Sequence, residues 1–191
     1  MRIMDQERHP FHKAIGHCIK NNIQQDENIK IIMDPACDDE ASHNIPLFYT
    51  DPDSIQKDRF NKSNKTELCN VDILILKKEK IRVIIEIEES NVKPTQICGK
   101  FLTSALSTYY ESKDYPMADS VAFLQVLDMS KLKGKSSKPR QWKNLERAIK
   151  ELLPINNIKD YFLIYGKKAD FENEDSKSYK DLIDYLKKSL E

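Results

Sequence analysis

Glycine is scarce, with four in 191 residues. That argues against a glycine-rich loop folded around a nucleotide's phosphates, and neither G-x-x-x-x-G-K nor G-x-G-x-x-G occurs. No apolar run approaches the length of a membrane span, and the start of the chain does not read as a signal peptide. An excess of charge of either sign is also lacking: Lys plus Arg and Asp plus Glu both number 31. Any nucleic-acid partner must therefore be argued from local charge. The four cysteines (Cys18, Cys37, Cys69 and Cys98) lie far apart in a Lys-rich chain. They read as reduced, mostly buried thiols in a cytoplasmic protein. No internal repeat is visible, and the length suits one domain over 1–191.

What is present is concentrated in one stretch. Val71-Asp72-Ile73-Leu74-Ile75-Leu76 and Ile81-Arg82-Val83-Ile84-Ile85-Glu86-Ile87-Glu88 are two β-branched runs around a Lys-rich break, which reads as a hairpin. Asp72 opens the first run, while Glu86 and Glu88 close the second. Carboxylates in an apolar setting are expensive to desolvate without a partner, and three that converge suit a hard cation. Side chains alternate along a strand, so Glu86 and Glu88 share a face, about 7 Å apart. A three-residue loop, Lys78 to Lys80, pairs Asp72 with Glu86, and Val71, Ile73 and Ile75 with Ile87, Ile85 and Val83. Register follows the buried face, and no Gly or Asn demands a tighter turn.

Around this hairpin the periodicity predicts a helix over 5–23, a strand over 29–33, and a long irregular insertion at about 36–66. Further on it predicts a helix over 95–111, a buried strand over 120–127, a helix over 140–153, a strand over 161–166 and a closing helix over 175–190. The expectation is an α/β fold, a mixed central sheet flanked by helices. His9, His12 and His17 lack the spacing of a structural zinc site. Glu7, on the first helix, either leans over the acid cluster or is solvated. The acidic run Asp38-Asp39-Glu40 reads as solvated. Gln96 and Lys100, one turn apart, lie near the end of the second hairpin strand and can reach the acids; a surface role for Lys100 is equally open. Eight basic residues between Lys131 and Lys150 stand against one acid, Glu146. Lys131, Lys133, Lys135, Lys138, Arg140 and Lys143 suit phosphate contacts, with a solvated charged face as the alternative.

An acid at a strand start, a hairpin, an apolar strand ending in acid-x-acid and then a helix together resemble the restriction-endonuclease-like PD-(D/E)xK nuclease superfamily, over roughly 5–166. The matching residues are Val71-Asp72 and, fourteen positions on, Glu86-Ile87-Glu88. Val71 stands where the literal motif has Pro, and the literal Pro52-Asp53 lies too far from Glu86 to serve. The resemblance implies a restriction-endonuclease-like fold and Mg²⁺ (or Mn²⁺) on Asp72, Glu86 and the Ile87 carbonyl. Glu88 occupies the position where most members have Lys. Glu86-Ile87-Glu88-Glu89-Ser90-Asn91 resembles the minority of restriction enzymes with Glu there, which makes Asn91 an accessory candidate. Glu88 then binds a second metal or orients the attacking water as its base, or the lysine role has moved to Lys100 or Lys93. By this resemblance the chain is a type II restriction-type enzyme hydrolysing DNA phosphodiester bonds, and a homodimer if it cuts both strands of a palindrome. A repair or RNA nuclease, and a non-catalytic nucleic-acid- or protein-binding module on the same fold, are the alternatives.

Overall fold

The computed structural model describes residues 9–23, 25–49, 66–89, 92–110, 115–132 and 136–191. In chain order these form α1 (Pro10–Asn22), β1 (Ile29–Met33), β2 (Ile45–Phe48), β3 (Glu67–Val71), β4 (Ile73–Lys77), β5 (Lys80–Glu88), α2 (Pro94–Leu106), β6 (Tyr109–Tyr110), β7 (Tyr115–Asp128), α3 (Lys138–Leu152), β8 (Ile158–Gly166), α4 (Lys168–Phe171) and α5 (Lys177–Leu190). The fold is α/β. The strands make one mixed sheet in which β1, β4, β5 and β7 lie side by side. β5 runs parallel to β7, and β7 parallel to β8. β7 is long enough to serve two neighbours: its first residues pair with β6, which leads on to β2 and β3, and its second half pairs with β8.

Alternation along the central strands sorts side chains onto two faces. Ile73, Ile75, Val83, Ile85, Leu124 and Val126 pack under α1, α4 and α5. Leu74, Leu76, Ile84, Phe123 and Leu127 pack under α2 and α3. With both faces covered, β4, the second half of β7 and most of β5 are buried end to end, which is why these segments read as nearly continuous apolar runs. Among the described residues no helix is long and apolar enough to cross a membrane. The four cysteines are free.

The hairpin keeps the expected register through a different turn. Ile73 pairs with Ile85 and Ile75 with Val83, but the loop has two residues, because Lys77 pairs with Lys80. Lys78 and Glu79 both take left-handed backbone, φ 50° and 59°, the conformation that matches the twist of a tight hairpin. One extra residue in β5, Arg82, then restores the offset as a bulge. The bulge has a tertiary cause: Arg82 Nε donates to the Ser189 carbonyl at the end of α5 (2.7 Å), and its Nη1 donates to the Ser120 carbonyl. Val71 does not face Ile87 as expected. The chain bends at Asp72, and Val71 pairs with Ile45 instead.

Other boundaries moved for similar reasons. β2 falls inside the span expected to be irregular, and β3 precedes the hairpin; each is short and completed only by partners distant in sequence. The helix expected over 95–111 stops at Leu106, after which Tyr109–Tyr110 pairs with β2 and β7. Asp38 and Asp39 are not simply solvated, because they pair with Lys20 and Lys13 of α1.

α1 crosses the segment after β1 so closely that a Cβ on Gly16 would overlap the Cys37 carbonyl oxygen. Backbone cannot swing aside as a side-chain tip can, so α1 must lift. Gly16→Ala is therefore expected to destabilise the protein by about 1–3 kcal/mol despite alanine's better helix propensity. Urea unfolding checks this; an unchanged midpoint would mean that α1 rides freely over Cys37.

Candidate functional site: a carboxylate cluster closed by a lysine

Asp72 sits in the bend where β3 leaves one set of partners and β4 joins another. That position takes it out of the ladder and frees its carboxylate: Oδ2 accepts the Ile87 N–H at 2.6 Å. Glu86 and Glu88 lie on the face of β5 that carries Ile84, beneath α2. Glu86 is fully buried and Glu88 nearly so. Lys100 comes down from the second turn of α2 into the middle of the three acids. Its Nζ lies 2.8 Å from Glu86 Oε2, 3.0 Å from Glu88 Oε1 and 3.9 Å from Asp72 Oδ2. The expectations for Asp72, Glu86, Glu88 and Lys100 thus converge on one place, and the surface role for Lys100 falls away.

The charges do not balance locally. Three carboxylates surround one ammonium, and two buried carboxylate oxygens, Glu86 Oε1 and Glu88 Oε1, have no hydrogen-bond donor. The Glu88 oxygen is within ion-pair distance of Lys100 but outside hydrogen-bond geometry. Burial, and then the charge of Asp72, push the Glu86 carboxyl well above the usual carboxylate range, and Lys100 only partly offsets them. Burial opposes the charge on Lys100, but Glu86 and Asp72 outweigh it and hold the ammonium protonated above the usual lysine range. A cluster of this kind has room electrostatically for a proton or another cation. The acids are nevertheless arranged around the ammonium. Among the described residues the only His/Cys/Asp/Glu trio with one ligand atom each within 4.8 Å of the others is His9, His12 and Glu89.

That trio abuts the acid cluster. Glu89 Oε1 accepts the Phe11 N–H at 3.1 Å and so caps α1, whose own N-cap residue, His9, supplies no side-chain cap. Glu89 Oε2 faces His9 Nδ1 at 3.3 Å and His12 Nδ1 at 3.1 Å. Burial raises the Glu89 carboxyl pKa, but the Phe11 N–H and the two histidines prevail and hold it below the usual range. The other nitrogen of His12 stands 3.9 Å from Asp72 Oδ1. Asp34, at the end of β1, adds a fourth carboxylate nearby: its N–H donates to the Asp72 carbonyl at 3.0 Å. Burial, and then the charge of Asp72, raise its pKa.

His12, Glu89 and Asp34 were not expected at the site. A signal existed for His12, the one polar residue on an otherwise apolar stripe of α1 with Phe11 and Ile15. Gln125 carried a similar signal, as the lone polar residue in a buried strand. It lies beside Glu86 in register, accepts from the Tyr161 hydroxyl at 2.6 Å and donates to the Ile97 carbonyl at 3.3 Å, so it holds α2 to the sheet.

One expectation is corrected. Gln96 does not reach the acids; it is exposed, and its Oε1 accepts the Lys93 N–H at 3.1 Å, which fixes the start of α2. Lys131 and Lys138 line a small cavity, and Arg140 and Lys143 are exposed on α3 outside it. Glu7, Asn91, Lys133 and Lys135 lie outside the described residues. Compared with known proteins, the chain matches no family model, no curated protein and no solved structure.

Proposed function

We propose that the chain is a metal-dependent phosphodiesterase acting on DNA, of the restriction-endonuclease-like kind that its Asp72…Glu86-Ile87-Glu88 pattern resembles. The observation that carries this reading is the charge imbalance at the end of β5: two buried carboxylates and the half-buried Asp72 around one ammonium, with two carboxylate oxygens lacking a donor. Asp72, Glu86 and the Ile87 carbonyl would hold Mg²⁺, or Mn²⁺ in its place. The ion supplies a polarised phosphate, a water of lowered pKa and a counter-charge for the leaving oxygen. Glu88 accepts the attacking water's proton, with the Lys100 ammonium 3.0 Å from its Oε1. Lys100 stands on α2 and not on β5, so its ammonium would pair with a phosphate oxygen by a change of its own side chain, with the acids left in place. His12, held by Glu89, stands 3.9 Å from Asp72 on that side of the cluster. The DNA is expected to lie across the ends of β5 and β7, with Lys131 on its backbone. A homodimer in the cytoplasm, cutting both strands of a palindrome, completes the reading.

One observation favours a non-catalytic binding module: the acids already close on Lys100. A cleavage assay on unmethylated plasmid and phage DNA separates the two. Discrete fragments with Mg²⁺ or Mn²⁺, and none in EDTA, are expected. A smear would replace the restriction-type reading with a nonspecific or repair nuclease. No cutting, together with no Mn²⁺ binding by calorimetry, would sink the hydrolase reading.

A further inference from the structure

A cavity of about 200 Å³ opens beside the acid cluster, where the parallel strands β5 and β7 end and α3 begins. This edge of an open α/β sheet is where ligands commonly bind. Its walls are of three kinds. Val92, Leu132 and the Trp142 indole give apolar surface. Lys93, Lys131 and Lys138 bring positive charge, and Glu89 and Asp128 bring carboxylates. Two of the polar groups are fixed in place. Lys138 Nζ donates to the Val92 carbonyl at 2.9 Å, and Asp128 is pinned by the Ser130 N–H at 2.7 Å and by the Ser130 hydroxyl. One is unsatisfied: Trp142 is 1% exposed and its indole N–H has no acceptor. The volume is below the roughly 300–1,000 Å³ of sites for drug-sized ligands, so it suits one ring system.

We infer that this cavity receives a single unpaired nucleotide of the bound strand, its base on the apolar lining that Leu132, Val92 and Trp142 supply and its phosphate on Lys93 and Lys131. The inference rests on the nucleic-acid reading above and narrows it. Apolar and aromatic walls with a few fixed polar groups are the chemistry by which an extruded base is held, and a cationic rim suits the backbone. Glu89 lines the cavity and also caps α1 beside the acids.

Trp142 is the chain's single tryptophan, so its emission reports on the cavity. The full chain in EDTA, where nothing is cut, is titrated with a short oligothymidylate and with an abasic oligomer of equal length and charge. The expected result is a saturable change in Trp142 emission with oligothymidylate, at least about tenfold weaker or absent with the abasic strand. Lys93→Glu and Lys131→Glu, both at exposed positions, are expected to weaken the response by about tenfold or more together. Equal responses to the two oligomers, no response to either, or unchanged affinity in the double variant would each overturn the inference. Metal-dependent cleavage is scored on the same preparation. Cleavage without a base-dependent emission change overturns the cavity's role and leaves the hydrolase reading intact. A base-dependent change without cleavage supports the cavity and counts against the hydrolase.

Discussion

In EDTA, Glu86→Gln melts higher than the wild-type protein, and in excess Mn²⁺ the order reverses. The first half follows from the cost of a charge in a fully buried place. Glu86 has a carboxyl pKa pushed up by burial and by Asp72, and one oxygen without a donor. A carboxyl whose pKa is raised on folding keeps a proton that the unfolded chain gives up. The folded state then binds more protons, so stability falls as pH rises from the usual glutamate range into Glu86's own. Glutamine keeps the shape and removes the charge. Lys100 is not stranded, because Glu88 and Asp72 remain beside it. The expected gain is about 1–2 kcal/mol near neutral pH, or about 2–8 °C in Tm for a chain of this size. The second half follows from the metal. On the proposed reading Mn²⁺ would stabilise the folded wild type by binding it and not the unfolded chain, and a neutral side-chain amide is a far poorer ligand than the carboxylate it replaces. Turnover is expected to fall about a thousandfold or more, equivalent to about 4 kcal/mol of transition-state stabilisation. Thermal melts in the two buffers and a single-turnover cleavage assay read both halves. A Glu86→Gln protein less stable in EDTA would show that Lys100 fully compensates the carboxylate. One equally stabilised by Mn²⁺ would remove Glu86 from the metal site.

Replacing Lys100 separates its place as counter-ion from the part in chemistry proposed for it. With methionine there, the stem that packs beside Phe101's turn is kept and the charge is lost. Three carboxylates then face one another with no cation among them, so the metal-free protein is expected to lose stability. The loss is expected at about 1–3 kcal/mol, below the usual cost of orphaning a buried ion, because Lys100 is 35% exposed and Glu86 can take up a proton. The same loss of charge removes the competitor for a divalent cation, and Mn²⁺ is expected to bind about tenfold more tightly. If Lys100 serves chemistry by holding the water or a phosphate oxygen, turnover falls by about 10²–10⁴ even at saturating metal. Tighter metal with slower turnover is the expected combination. Tighter metal with unchanged turnover would reduce Lys100 to a counter-ion that the metal displaces.

Parts of this site were legible in the sequence because they depend on local periodicity. Asp72, Glu86 and Glu88 fall on one face of a hairpin whose register the apolar residues set, and Ile73–Ile85 and Ile75–Val83 pair accordingly. The two-residue turn was not legible, since Lys78 and Glu79 adopt left-handed backbone without the residue types that favour it. They do so because the Arg82 bulge, held by the end of α5 and by β7, absorbs the difference. Gln96 has the spacing to reach the acids from α2. Its amide instead satisfies an unpaired N–H at the helix start, a competing demand that periodicity does not register. His12 was weighed only against zinc spacing in sequence, yet its partners, Glu89 and Asp72, come from other elements.

The sequence by itself determined the α/β class, the order of the main strands and helices, and the face that each acid occupies. Those properties repeat every two or three to four residues and need no distant partner. Tertiary structure decided which charged groups meet. It brought Lys100 to Glu86 across 14 residues, Glu89 to His12 across 77, and Lys138 to Val92 across 46. It also built the cavity around Trp142. Burial makes such meetings consequential, because charges that water would screen on an open strand interact strongly once helices cover the sheet.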